Sequence, residues 1–486
     1  MAKDVEVQRR LAISRVPIRK QDPDERRKNW DEVFLGFDLE SAKVEAMRCL
    51  QCPTAPCQEA CPVGNDIPGA FKLLEIGDVA GAADRFRETS NLPELCGRLC
   101  PQERLCEGEC VVAFAIRPDS HQEPPVSIGK LEAFVADYQR EHLGGVPIPL
   151  LPEPSGFRVA VVGAGPAGMA VAEELAKSGH ACTMYDAWPE PGGVLLYGIP
   201  NFKLSKRVLQ DKLLYLDKLG VRFIGNTWVG RDITVEQMFD QGYDAVFVGT
   251  GASLGGKLAI PGEELTNIYA ATEFLVRGNL EPDQLPENMR GGLQVGKNVV
   301  VIGGGDTSMD CVRTAVRLGA EHVTCVYRRT ESEMLGRQEE RAHAREEGVN
   351  FLFLTIPLRF VGDEHGNVTG LECQKMALGE PDESGRRRPV PVPHSEFIVP
   401  AESVAIAIGY NADPIIKDAA PGVATNRWNL VEVDRDTGMT TREGVFAGGD
   451  NVNGADLVVT ALADGRRAAN AIHEYLQTLP PKRPAR

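Results

Sequence analysis

Arg158-Val-Ala-Val-Val-Gly-Ala-Gly-Pro-Ala-Gly168 decides the fold. A short apolar run enters Gly163-x-Gly165-x-x-Gly168, and helix-forming sequence follows. Such a run, bounded by glycine, reads as a strand buried on both faces, the mark of a parallel sheet covered by helices. In this unit the first glycine makes the tight turn, the second lets the backbone approach a pyrophosphate, and the third lets helix pack on strand. The helix that starts at Pro166 and Ala167 adds the N–H donors of its first turn, from Ala167 on, and the positive end of a dipole. The partner acid belongs about twenty residues on, at the end of the next strand. Asp186 stands there, closing Ala181-Cys-Thr-Met-Tyr185. A carboxylate at that place accepts hydrogen bonds from ribose hydroxyls and repels a 2′-phosphate, so the site suits FAD or NAD.

The unit recurs. Lys297-Asn-Val-Val-Val-Ile302 runs into Gly303-Gly-Gly305-Asp306-Thr307-Ser308, with a helix expected from Met309 to Leu318. Serine takes the third glycine's place. The next strand, Val323-Thr-Cys-Val-Tyr327, ends at Arg328-Arg329 instead of an acid. Guanidinium groups there pair bidentately with a 2′-phosphate, which selects NADP over NAD; an exposed basic loop is the plainer alternative. The pair Gly192-Gly193 follows the ribose acid, and strand-like runs end at glycine in Tyr243–Gly251, Ser403–Gly409 and Gly444–Asp450. Each alone reads as a simple turn. Their order along the chain fits a second half of a cofactor site.

Working back toward the N-terminus, Leu143 to Pro154 holds four prolines, which neither a helix nor a central strand tolerates. Residues 143–155 are therefore expected to be a linker. Before it, residues 1–142 read as helical and polar, with apolar spacing of three to four over Ile67–Glu75 and Ser127–Arg140. Eight of the twelve cysteines lie here, in two quartets: Cys49-x2-Cys52-x4-Cys57-x3-Cys61-Pro62 and Cys96-x3-Cys100-Pro101-x4-Cys106-x3-Cys110. Closely spaced thiolates supply the soft, anionic ligands an iron–sulfur cluster needs. One quartet per cluster is the simplest assignment. Zinc is the rival, although the uneven gaps fit it less well than paired CxxC knuckles would. Cys182, Cys311, Cys325 and Cys373 fall in expected strands or helices and read as core thiols.

The bulk numbers narrow the class. A chain of 486 residues with net charge −16 lacks the basic face of a nucleic-acid or anionic-membrane binder. No stretch approaches the ~18 apolar residues of a membrane span, and the first residues have no signal-peptide core, so a reducing, cytoplasmic setting without disulfides is expected. Arg9, Arg10, Arg15, Arg19, Arg26 and Arg27 are expected on a solvated helix or tail, and Gly385-Arg-Arg-Arg-Pro389 in a solvated turn.

Two dinucleotide folds in series behind a cysteine-rich domain resemble the two-dinucleotide-binding flavin oxidoreductases. Within them, CxxCxxxxCxxxCP, CGRLCPQERLCEGEC, GGVLLYGIPNFKL (192–204), VIGGGDTSMDCVRTA (301–315) and GVFAGGDNVNGADLVVTALADGRRAA (444–469) are similar to the small (beta) subunits of bacterial NADPH-dependent glutamate synthases. The N-terminal half of dihydropyrimidine dehydrogenase shares the module. The resemblance implies an α-helical iron–sulfur domain over residues 1–142, an FAD-binding Rossmann-like domain over 156–289 and 411–486, and an NADPH-binding Rossmann-like domain inserted at 290–410.

It also implies residue roles. FAD would lie along Gly163, Gly165, Pro166, Ala167, Gly168, Asp186, Gly192 and Gly193, with Thr250, Gly251, Gly449, Asp450 and the helix start near Asp456–Val459 closing over it. NADPH would use Gly303, Gly305, Asp306 and Thr307, with Arg328 and Arg329 on the 2′-phosphate. The cysteines would cross between two 4Fe–4S clusters: Cys49, Cys52, Cys57 and Cys110 on the first, Cys61, Cys100 and Cys106 on the second. The second cluster's last ligand would be Glu132, with Cys96 as the alternative. Hydride transfer to flavin requires no general base, so no catalytic side chain is named. Residue 2 is alanine, so there is no glutaminase-type thiol. The implied partner is a large (alpha) subunit carrying FMN and an iron–sulfur cluster, which makes L-glutamate from glutamine and 2-oxoglutarate in a hetero-oligomer. A pyrimidine-reducing or ferredoxin-reducing partner is the alternative. A non-catalytic scaffold is a third reading, disfavoured by the intact second fingerprint.

Overall fold

The computed structural model describes residues 2–115, 122–381 and 385–482. Two five-stranded sheets organise the chain beyond the linker. The first has the spatial order Val445–Ala447, Ala245–Val248, Arg158–Val162, Ala181–Tyr185, Arg222–Ile224, with every neighbouring pair parallel. Side chains alternate between its two faces. Val159 and Val161 pack with Met169 and Leu462 from the helices Pro166–Lys177 and Val458–Thr478, while Ala160 and Val162 join Met238 and Ile416 on the other side.

The second sheet repeats the plan in the order Ile268–Ala270, Ser403–Ile406, Asn298–Ile302, His322–Val326, Asn350–Leu352. Val299 and Val301 pack with Phe274 and Met309; Val300 and Ile302 pack with Phe360 and Leu371. Strand Ile268–Ala270 pairs with Ser403–Ile406, and helix Ala271–Asn279 packs into the same core. The boundary expected between residues 289 and 290 therefore falls inside this unit. A strand of three residues, only the middle one buried, leaves no periodicity to read.

One face of the second sheet is covered by an antiparallel sheet of Thr355–Gly362, Val368–Pro381 and Arg387–Pro400. Here the expected turn at Gly385–Pro389 is corrected: Arg387 opens a strand, and Pro389 stands opposite Leu378. Pro389, Pro391, Pro393 and Pro400 are tolerated because this strand is at the sheet's edge, where a missing N–H can face solvent.

The N-terminal part is helical, as expected. Helix Ile67–Glu75 buries Ile67, Ala70, Phe71 and Leu74, a three-to-four spacing, and Asp66 caps it by accepting from the Gly69 N–H at 3.0 Å. It packs with Phe86, Leu131 and Val135 around one core. The helix expected over Ser127–Arg140 spans Ile128–His142, and residues 143–157 hold no helix or strand.

The arginine-rich start is only partly solvated. Arg9, Arg19 and Arg27 are exposed. Arg10 instead grips Glu75 through both carboxylate oxygens at 2.9 Å and donates to the Cys49 carbonyl. Arg26 is 1% exposed and binds Glu347 at 2.9 Å, on the far side of the chain. Glu347 also accepts from Arg313 and Arg317. Among the described residues no helix is long and apolar enough to cross a membrane.

Candidate functional site

The two parallel sheets turn their C-terminal ends toward one continuous cavity of about 1030 Å³. That is the upper end of the roughly 300–1,000 Å³ range of small-ligand sites. Both glycine fingerprints open onto it. Gly163 has φ +99°, and a Cβ there would collide with the Gly249 carbonyl; Gly303 has φ +145°, and a Cβ would collide with the Ala407 carbonyl. Each turn thus lies against the end of a neighbouring strand, where only glycine fits. A Cβ on Gly165 would stand 4.0 Å from the Gly193 Cα, and Gly305 has no atom within 4 Å of where its Cβ would be. Side chains at these points would fill the cradle, so the backbone is shaped for a ligand's close approach.

Of the residues expected on the first side, Gly163, Gly165, Pro166, Ala167, Asp186, Gly193, Thr250, Gly251, Gly449 and Asp450 line the cavity. Gly168, Gly192 and Val459 do not. Gly168 packs against the Gly163 carbonyl, Gly192 against Leu196 and Leu209, and Val459 is buried in the core of the first fold while Val458 faces the cavity. Asp186 accepts from the Ala164 N–H at 2.8 Å and the Trp188 N–H at 3.0 Å. Burial pushes its carboxyl up, against the pull of those backbone donors. Helix Val458–Thr478 starts at the cavity wall, close to the expected place.

On the second side Gly303, Gly305, Asp306, Thr307, Arg328 and Arg329 all line the cavity. Ser308, at the third glycine position, donates to the Ala407 carbonyl at 3.4 Å, which closes the turn by another route. Arg328 is exposed at the cavity mouth; Arg329 is buried, with its Nε donating to the Arg387 carbonyl at 2.9 Å. Sequence reasoning missed several lining groups. Trp188 and Tyr197 pack ring on ring at 4.3 Å, and Lys203 binds Asp310 at 3.0 Å across the junction of the two nucleotide folds. Burial pushes Asp310 up to about 6, with Lys203 opposing. Lys203 lies within the 192–204 stretch, which was its available signal.

The cysteines separate into two groups in space, and the grouping crosses the sequence quartets. Cys49, Cys52, Cys57 and Cys110 line one small pocket with Pro56, Ile67, Phe71 and Val126. Burial pushes the Cys49 and Cys57 thiols up to about 12, and the neighbouring thiols add to it. Gln51 donates an N–H to the Cys49 sulfur at 3.5 Å. Cys61, Cys100, Cys106, Cys96 and Glu132 form the second group. Burial pushes Cys61 up to about 11, with Glu132 and Cys96 contributing, and raises Cys106 through Glu132 and Cys61 as well. Glu132 is buried, accepts from the Asn65 side chain at 3.1 Å, and is held well above the usual carboxylate range by burial. Cys96 and burial push the Cys100 thiol well above its ordinary value. All twelve cysteines are free thiols, and Cys182, Cys311, Cys325 and Cys373 are buried in the nucleotide folds as expected. Among the described residues no three His, Cys, Asp or Glu side chains converge on a point as one metal ion requires. Leu99, Pro101, Arg104 and Leu105, which flank Cys100 and Cys106, form part of the wall of the large cavity.

Residues 26–143 match the family model described as dihydropyrimidine dehydrogenase domain II, 4Fe-4S cluster, and residues 157–465 match that of the pyridine nucleotide-disulphide oxidoreductases. The glutamate synthase (NADPH) small chain of Halomonas elongata is 39% identical, over 95% of this chain and 97% of its own. The chain belongs to the glutamate synthase small-chain family of pyridine nucleotide-disulphide oxidoreductases. As a family member it is an oxidoreductase with an iron–sulfur domain ahead of its nucleotide folds. The small chain of Azospirillum brasilense is 41% identical over 94% of this chain and 93% of its own. The putative oxidoreductase AegA of Escherichia coli is 42% identical over 93% of this chain and 68% of its own. In fold, Mycobacterium tuberculosis FprA in complex with NADPH superposes with a TM-score of 0.55 at 20% identity, over 67% of this chain and 85% of FprA.

Proposed function

We propose that this chain is the electron-input component of an NADPH-oxidising enzyme. It takes electrons from NADPH on FAD and delivers them through two 4Fe–4S clusters to a partner chain. The observation that carries this reading is the single cavity: both fingerprints and the loops bearing Cys100 and Cys106 border the same space. When bound, flavin accepts a hydride and releases electrons one at a time, and iron–sulfur clusters carry single electrons.

The chain's own residues position these groups. The Gly163–Gly168 turn and the helix from Pro166 present N–H donors to a pyrophosphate, and Asp186, fixed by two backbone donors, keeps acceptor capacity for ribose hydroxyls. At the other fingerprint Arg329 is held in place through Arg387 and Arg328 reaches from the mouth, a pair suited to a 2′-phosphate. Lys203 and Asp310 tie the two nucleotide folds together beside the cavity. Trp188 and Tyr197, packed ring on ring, form one wall of the cavity. Cys49, Cys52, Cys57 and Cys110 would hold one cluster; Cys61, Cys100, Cys106 and either Glu132 or Cys96 would hold the other. No side chain is assigned as a general acid or base.

The partner in this reading is the large glutamate synthase subunit, which forms L-glutamate from glutamine and 2-oxoglutarate. AegA, as similar in sequence as the small chains, supports a second reading with another acceptor. Anaerobic purification should give about eight irons and one FAD per chain, with flavin bleaching on NADPH addition. Stoichiometric zinc without flavin would sink the reading. Adding the large subunit to the reduced chain separates the two acceptors: glutamate formation supports the first, and electron delivery only to other acceptors supports the second.

A further inference from the structure

Arg337 connects the second fingerprint to a cysteine loop. Its guanidinium is 3% exposed and donates to the carbonyls of Arg98 at 2.9 Å and Cys100 at 3.4 Å. The same group binds Glu340 at 3.1 Å and lies 3.5 Å from an Asp306 carboxylate oxygen, which also accepts the Arg337 backbone N–H at 3.2 Å. Asp306 opens the helix behind the fingerprint and lines the cavity. One buried cation is therefore shared between a carboxylate at the nucleotide site and the backbone of a proposed cluster ligand.

The geometry points to Arg337 as a positioning residue that couples nucleotide occupancy to the potential of the cluster on Cys61, Cys100 and Cys106. This rests on the function proposed above. Positive charge and N–H donors beside a cluster favour its reduced form, because reduction adds negative charge. A nucleotide's phosphates bring negative charge to the fingerprint, beside the same guanidinium. They offset its field from the cavity side, where Asp306, the partner of Arg337, meets the ligand space. Occupancy should therefore lower the potential of that cluster and leave the Cys49–Cys110 cluster unchanged. Linkage makes the effect reciprocal: reducing the cluster weakens nucleotide binding by the same factor. Electrons that have moved on would thus help expel spent cofactor.

The test uses the full holo-chain and redox-inert tetrahydro-NADP as the probe. Spectroelectrochemical titrations followed by EPR should show the Cys100 cluster falling in potential when the probe binds. A tenfold difference in affinity between oxidised and reduced protein corresponds to about 59 mV for one electron. Arg337→Gln should abolish the shift with iron and flavin contents retained, and Arg337→Lys should keep part of it. An unshifted potential in the wild-type chain, or an equal shift in Arg337→Gln, overturns the coupling. If Arg337→Gln assembles no clusters, the Lys variant decides: a full wild-type shift would remove the role of the shared fork. Absence of iron or flavin from the wild-type chain would instead overturn the underlying functional reading.

Discussion

Arg328 and Arg329 show how one residue type is placed for two tasks. Arg329 is buried and anchored on the Arg387 carbonyl, so its truncation disturbs the adjoining sheet; Arg328 is exposed, so its truncation reports on ligand alone. Arg328→Ala should weaken NADPH by about 10- to 100-fold, the worth of one or two charge-assisted hydrogen bonds, with NADH nearly unaffected. Equal losses for both nucleotides in a fluorescence titration would refute a 2′-phosphate role. At the second cysteine group, Glu132→Ala and Cys96→Ala form a pair of variants. Only the ligand's removal should change the EPR signal and potential of that cluster; an unaltered signal in Glu132→Ala, with loss in Cys96→Ala, would assign Cys96. The residue scale also carries a pH prediction. His343 is buried against Lys20, Phe34, Glu340, Arg313 and Arg26, and burial pushes its imidazole down to about 3. Unfolded, it titrates near 6.5, so the unfolded chain binds the proton more readily between those values. This group's contribution is complete above about pH 6.5 and is lost as pH falls toward about 3. Thermal melts between pH 7.5 and pH 5 should show a shallower slope for His343→Gln than for wild type.

At the scale of elements, the two strand–glycine–helix units were legible because parallel strands buried on both faces are written as unbroken apolar runs. Gly303→Ala tests one of them directly. Its Cβ would meet the Ala407 carbonyl, and φ +145° is strained for alanine, so nucleotide affinity should drop at least tenfold by the close-approach argument while flavin content holds. Parallel loss of flavin in the purified variant would show that the two sites do not fold independently. What stayed illegible has physical causes. Strand Arg387–Pro400 carries prolines that read as a turn, and they are acceptable because, among the described residues, nothing pairs on its outer edge. Strand Ile268–Ala270 is too short to show a period. The crossed cysteine grouping was legible by family likeness alone, since spacing in sequence favours one quartet per site, whereas the helix Ile128–His142 brings Glu132 to the second group.

On the scale of the whole molecule, the N-terminal arm and the second nucleotide fold are locked together by buried charge. Glu347 receives Arg26, Arg313 and Arg317, and Arg313 also binds Glu340. No local pattern could reveal this, because the partners of Arg26 lie far along the chain. Removing one member leaves buried charge poorly matched, typically at about 3–5 kcal/mol; with two arginines remaining on Glu347, Arg26→Ala should fall near the lower figure. Urea unfolding should show the loss, and an unchanged midpoint would mean that the arm contributes nothing to stability. The same clasp sets a timetable for biosynthesis. Arg26 and Glu347 are separated by 321 positions, so a ribosome adding about 5–20 residues per second leaves the emerging arm without its partner for roughly 15 s to a minute. Throughout that interval the cysteine loops lack the cover that Arg337 and its neighbours later supply. In the function proposed above, cluster loading would thus have a natural window, open while the nascent chain is still short and closing as the second nucleotide fold emerges.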